Sequence, residues 1–138
     1  MKKLSLVVYL LLSALFGFAQ NADYRVVFDM TSRDSVNQQA VVRELNLIRD
    51  GNPDAKLEVV MYGQGIDLAI KDRSLQQTAI QKLLSTDKGI SFKICAIAMK
   101  RNNIDKSQLI PGVEVVPDGI YEIITKQREG WGYIKVAH

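Results

Sequence analysis

Five short runs of β-forming residues alternate along this chain with stretches of helical period. That alternation leaves few folds open. The runs are Tyr24 to Met30, Leu57 to Tyr62, Ile90 to Ala96, Val113 to Val116 and Tyr133 to Val136. Between the first two, Val36, Ala40, Val41, Leu45 and Ile48 recur near helical spacing, and Gly51-Asn52-Pro53 stops the helix. Ser74, with Gln77 three residues on, predicts a capping box opening a second helix whose apolar face is Leu75, Ala79, Ile80, Leu83 and Leu84. A short helical or irregular stretch is expected from Ala98 to Asn103. A last helix follows Pro117-Asp118-Gly119, with Asp118 as its cap and Ile120, Ile123 and Ile124 on one face. Strands separated by helices predict an α/β fold: a mostly parallel five-stranded sheet covered on both faces, a three-layer α/β/α sandwich. Strand order does not follow from the pattern.

The first residues read as an export leader. Lys2 and Lys3 precede the uncharged, mostly apolar stretch Leu4 to Phe18, and Gly17-Phe18-Ala19 presents small residues where a signal peptidase reads them. Cleavage is expected after Ala19, so residues 1–19 form a signal peptide and 20–138 one domain. The mature chain has 138 − 19 = 119 residues and a formal charge of +3 − 2 = +1. Its cations are dispersed and interleaved with acids, as in Arg43-Glu44 and Arg128-Glu129, which argues against nucleic-acid binding. The expected location is the periplasm, with no membrane contact after cleavage.

Cys95 is the only cysteine. In an exported protein an unpaired cysteine is either an inert core residue or a working thiol. Ile94, Ala96, Ile97 and Ala98 around it are apolar and favour the first reading. Its place at a strand end favours the second. Sites in open α/β sheets form outside the carboxyl ends of the strands, here the loops Thr31 to Ser35, Tyr62 to Ile66, Cys95 to Met99 and Pro117 to Gly119. With sequential strands as neighbours, Tyr62, Gly63, Gly65, Pro117 and Gly119 surround the thiol. Two helix N-termini then point at it and favour the thiolate, with Lys100 and Arg101 nearby.

Other chemistry is sparse. Gly63-Gln64-Gly65 lacks the third glycine of a dinucleotide loop and follows the second strand, so it reads as a tight turn allowing close backbone approach. The single histidine, His138, is the last residue, a poor base or metal ligand. Asp29 is expected to be solvated at the sheet rim, and Trp131 and Tyr133 to pack where the last strand begins. No metal or organic cofactor is implied.

The order and spacing of several of these motifs resemble the DsrE/DsrF-like family of sulfur-handling proteins. They are Thr31-Ser32-x-Asp34, Tyr62-Gly63-x-Gly65-Ile66, Phe92-x-x-Cys95-x-x-x-Met99, Val116-Pro117-x-Gly119-Ile120 and Gly130-Trp131-x-Tyr133-Ile134. The resemblance implies a homo-oligomer, a trimer or hexamer, and a persulfide carried on Cys95 and passed to a partner protein. Ile97-Ala98 and Tyr62 stand where exported relatives tend to carry a polar pair and a histidine. The expected function is an exported sulfur carrier with Cys95 as the reacting residue and Met99 among the lining residues. The alternatives are a ligand- or partner-binding module of the same fold with a packed Cys95, and a thiol redox sensor.

Overall fold

The computed structural model of the protein describes residues 23–136. The predicted leader, its cleavage site and His138 lie outside them. Strands β1 (Arg25–Met30), β2 (Lys56–Met61), β3 (Ile90–Cys95), β4 (Glu114–Val116) and β5 (Gly132–Val136) form one sheet in the order β4-β3-β2-β1-β5. Every pairing is parallel. The helices are α1 (Ser35–Gly51), α2 (Gln77–Thr86), α3 (Ala96–Arg101) and α4 (Gly119–Arg128), and a 3-10 segment spans Gly63–Ala69. The predicted α/β architecture is therefore present, and sequential strands are neighbours from β1 to β4.

The two faces of the sheet differ in chemistry. Side chains alternate along each strand, and register partners share a face. Phe28 lies beside Val59, and Val59 beside Phe92. This face is apolar along all three central strands, and all three of those residues are completely buried. α1 covers it with Val41, Val42 and Leu45, α2 with Ile80 and Leu83, and the 3-10 segment with Ile66 and Leu68. Full burial of one such side chain stabilises the fold by about 1.5–3 kcal/mol, so this layer dominates stability. Gly65 makes the close approach possible: a Cβ there would stand 2.1 Å from the Met30 carbonyl oxygen. The sequence-based reading of that glycine as a close-approach residue is thereby borne out.

Helix starts follow local chemistry. Asp34 caps α1, accepting from Val36 N at 2.7 Å. Asp118 caps α4, accepting from Ile120 N at 2.9 Å and Tyr121 N at 3.3 Å. The expected capping box at Ser74 does not form. Ser74 Oγ accepts from Gln76 N, and the Gln77 side chain accepts from Asp72 N. These bonds close a local turn, α2 starts only at Gln77, and Leu75 is left 77% exposed. In α4 only Ile123 of the three expected isoleucines is buried. Ile120 and Ile124 point outward, because the patch beneath this helix is narrow.

That second face carries α4 across a mixed surface. Val27 and Val60 pack on Ile123, flanked by Tyr62 and Trp131. Beside them lies Glu58, only 3% exposed. Its Oε2 is 3.6 Å from Lys126 Nζ and accepts weakly from Ser91 Oγ, whereas Oε1 has no hydrogen-bond partner. Lys126 also sits 4.8 Å from the centre of the Trp131 ring. Burial raises the Glu58 carboxyl from 4.5 to about 7; Lys126 opposes this shift, and hydrogen bonding to Glu122 adds to it. Between those two values the folded state holds a proton that the unfolded chain has released. The contribution of this group to stability therefore falls as pH rises from about 4.5 to about 7 and levels off above that. Glu58→Gln is expected to flatten this slope and to gain about 1–3 kcal/mol at pH 8 relative to wild type. Urea unfolding at pH 5, 6, 7 and 8 measures it, and equal slopes in the two proteins would refute the assignment.

Candidate functional site

The direction of the chain at the strand ends creates the cleft. From β3 the chain turns into α3, whose Ala98 and Met99 join the larger apolar core on the α1/α2 face. From neighbouring β4 it turns into α4, on the opposite face. Adjacent strands that send their connections to opposite faces leave a crevice between their carboxyl ends, where ligands of open α/β sheets bind. Here the crevice is a cleft of about 550 Å³. Ile97, Ala98, Arg101 and Asn102 line it from one side of α3, and Asp118 and Ile120 from the start of α4. Tyr62, Gly63 and Gln64 close it from the β2 end, with Arg33 reaching in from the loop after β1.

Cys95 lies at the bottom. It is the last residue of β3 and the N-cap of α3, and it is 5% exposed. Gly119 presses against it: a Cβ at that position would stand 3.1 Å from Cys95 Cβ and 3.4 Å from Tyr62 Cβ. A larger residue here would push these neighbours apart by a few tenths of an ångström, so glycine suits the close approach of α4 to Cys95. The expected electrostatic help from helix N-termini is weaker than the sequence implied. The Cys95 side chain makes no capping bond to α3, and Asp118 already occupies two first-turn N–H groups of α4. Positive charge comes instead from Arg33 and Arg101. Arg33 Nε is 2.9 Å from Asp67 Oδ2. Among the described residues Arg101 has no carboxylate within ion-pair distance.

Of the residues expected at the site, Cys95, Tyr62 and Gly63 line the cleft and Gly119 touches Cys95. Gly65 packs on the β1 backbone instead. Met99 belongs to the core, and Pro117 is exposed in the turn before α4 without lining the cleft. Arg33, Gln64 and Asn102 were not foreseen. The available signal was position: Arg33 and Gln64 lie in strand-end loops, and Asn102 follows Ala98 by one helical turn. Among the described residues no cluster of three or more His, Cys, Asp or Glu side chains is placed to hold a metal ion, and no helix is long and apolar enough to cross a membrane.

Tyr62 has its own support. Asp29 is buried, not solvated at the sheet rim as expected, because Val60 of β2 flanks it on one side and β5 supplies polar partners, Tyr133 and Lys135, on the other. Asp29 Oδ2 accepts from the Tyr133 hydroxyl at 2.6 Å, and Lys135 Nζ stands 3.2 Å from Oδ1. The same ammonium donates to Thr31 Oγ1 at 2.8 Å and lies 5.9 Å from the Tyr62 ring centre. The Tyr62 phenol is raised from 10.0 to about 12, first by burial and then by the Asp29 charge. Tyr133 is also raised to about 12, first by its hydrogen bond to Asp29. Tyr62 thus lines the cleft beside this network. Asp29→Asn is expected to lower the Tyr133 ionisation toward 10 and the Tyr62 ionisation by less. Phenolate absorbance titration reads both; a titration curve unchanged by the substitution would disprove the network.

Comparison with known proteins fits this geometry. The model of the DsrE/DsrF-like family matches residues 14–136. A protein of unknown function from Methanobacterium thermoautotrophicum, MTH1491, is 28% identical with a TM-score of 0.76, over 82% of this chain and 99% of its own. The ychN protein from E. coli superposes with a TM-score of 0.68 at 13% identity, over 83% and 99% of the two chains. BT1422 from Bacteroides thetaiotaomicron, a conserved protein of unknown function, gives 0.65 at 16% identity, over 86% and 99%. The last two likenesses concern the fold alone. No curated protein matches the sequence. A cysteine at the end of the third strand, on an all-parallel sheet matched along nearly its whole length by the family model, leads to one conclusion: this chain belongs to the DsrE/DsrF-like family.

Proposed function

We propose that the protein is an exported sulfur carrier in which Cys95 holds a sulfane sulfur as a persulfide. The observation that carries this reading is the position of the chain's one thiol, at the floor of the switch-point cleft. In the loading step the Cys95 thiolate attacks the sulfane sulfur of a donor. A new S–S bond forms, and the donor's bond to that sulfur breaks with its electron pair. In unloading, a partner protein's thiolate attacks the outer sulfur, the persulfide bond breaks, and Cys95 is returned as thiolate. Both steps balance without a cofactor. Homo-oligomeric assembly, as a trimer or hexamer, belongs to the same proposal. It is supported by the apolar residues that α4 leaves uncovered outside the cleft: Tyr121 is 60% and Ile124 39% exposed. Periplasmic location rests on the leader-like first residues.

The 5% exposure of Cys95 favours a second reading, a binding module in which this thiol is only packed. Two measurements separate the readings. Intact-mass analysis of the protein after incubation with a polysulfide should show one added sulfur atom, absent in Cys95→Ser. Native Cys95 should also react with iodoacetamide before denaturation. A thiol that reacts only in denaturant supports the packed module.

A further inference from the structure

We infer that sulfur reaches Cys95 on a small oxyanion-bearing donor of the thiosulfate type, held by Arg33 and Arg101 at the mouth of the cleft. This inference rests on the carrier reading and adds to it the class of donor. Access is the first argument. Cys95 is 5% exposed and lines a cleft of about 550 Å³. That volume is in the range of small-molecule sites, about 300–1,000 Å³. A donor sulfur carried on a compact anion fits down to the floor, whereas one carried on a folded protein meets the rim first.

Charge is the second argument. Ile97, Ala98, Arg101 and Asn102 line the cleft from one side of α3, so Arg101 stands one helical turn beyond the residues next to the thiol. Across the cleft Arg33 is aimed by Asp67. Asp67 also faces Arg73 Nη1 at 3.2 Å, so a single carboxylate stands between two guanidinium groups and leaves positive charge over. Among the described residues the only acid lining the cleft, Asp118, is engaged as the α4 cap, with Oδ1 accepting two backbone N–H groups. Guanidinium forks match the paired oxygens of an oxyanion, and both arginines are exposed, where an incoming anion meets them first.

The chemistry closes with these parts. The Cys95 thiolate attacks the outer sulfur of the donor, the Cys–S–S bond forms, and the sulfur–sulfite bond breaks with its electron pair leaving on sulfite. The total charge of −3 is conserved, since thiolate plus thiosulfate becomes persulfide plus sulfite, and no oxidant or reductant is consumed. The two arginines hold the part that becomes sulfite. Loading also changes access: the outer sulfur projects about 2 Å beyond the original one. A small donor can therefore load a recessed thiol, and a larger acceptor can unload the more prominent persulfide.

The test compares wild type with Arg33→Gln, Arg101→Gln and the double variant. Loading by thiosulfate is followed as one added sulfur by intact mass, with polysulfide as a second donor. Iodoacetate and iodoacetamide, which differ in charge but share one reaction, report the field at the thiol without sulfur transfer. The expected result is loading of wild type by thiosulfate and a loss of about tenfold or more in the double variant, the size set by charge-assisted bonds. The iodoacetate-to-iodoacetamide rate ratio should fall in parallel, because both reagents share any change in the thiolate fraction and only iodoacetate carries the charge that the arginines attract. An unchanged ratio and unchanged thiosulfate loading in the double variant overturn the inference. Loading of wild type by polysulfide but not by thiosulfate also overturns it and leaves the carrier reading standing. No loading by either donor, with iodoacetamide still reacting, overturns the carrier reading and the donor assignment with it.

Discussion

The apolar face shared by β1, β2 and β3 is the constraint on which the rest of the molecule depends. Phe28, Val59 and Phe92 stand in one row across three in-register strands and are fully removed from water. α1, α2 and the 3-10 segment are drawn to that side because the burial there is largest. The opposite face is left with a small apolar patch and a set of charged groups, covered by α4. A parallel sheet buried on both sides is usually apolar on both. The departure here localises polar chemistry to one face and to the strand ends.

The cleft is a consequence of that asymmetry. β3 feeds a helix on the apolar side and β4 feeds one on the polar side, so the chain parts above Cys95. Gly119 then lets α4 return to within contact of the thiol. On one flank Tyr62 sits beside the Asp29 network, and on the other α3 presents Ile97 and Arg101. The result is a recessed sulfur with an apolar floor and a cationic rim.

Much of this was legible from the residues. Period-two runs between helical stretches gave five strands within a residue or two of their observed ends, because each strand carries at least one apolar side with β-branched or aromatic residues. Asp118 was readable as a cap, since an acid before glycine and an apolar helix has few other uses. The Ser74 and Gln77 pair misled because the same side chains satisfy a turn equally well. Ile120 and Ile124 misled because helical spacing says which residues share a face, not how wide the surface beneath them is. Asp29 could not be placed without knowing that β5 lies beside β1, since Tyr133 and Lys135 are more than a hundred positions away. Strand order decided that residue, and also which loops meet at the thiol.

The same strand order governs how the molecule can be made. β1, the first strand, is flanked on one side by β2 and on the other by β5, the last. Its second edge therefore has no partner until Gly132–Val136 are available, and contacts that distant in sequence form slowly. The sheet cannot be completed on a partial chain. An incomplete molecule presents an open strand edge, the kind of surface that chaperones cover and that aggregation exploits.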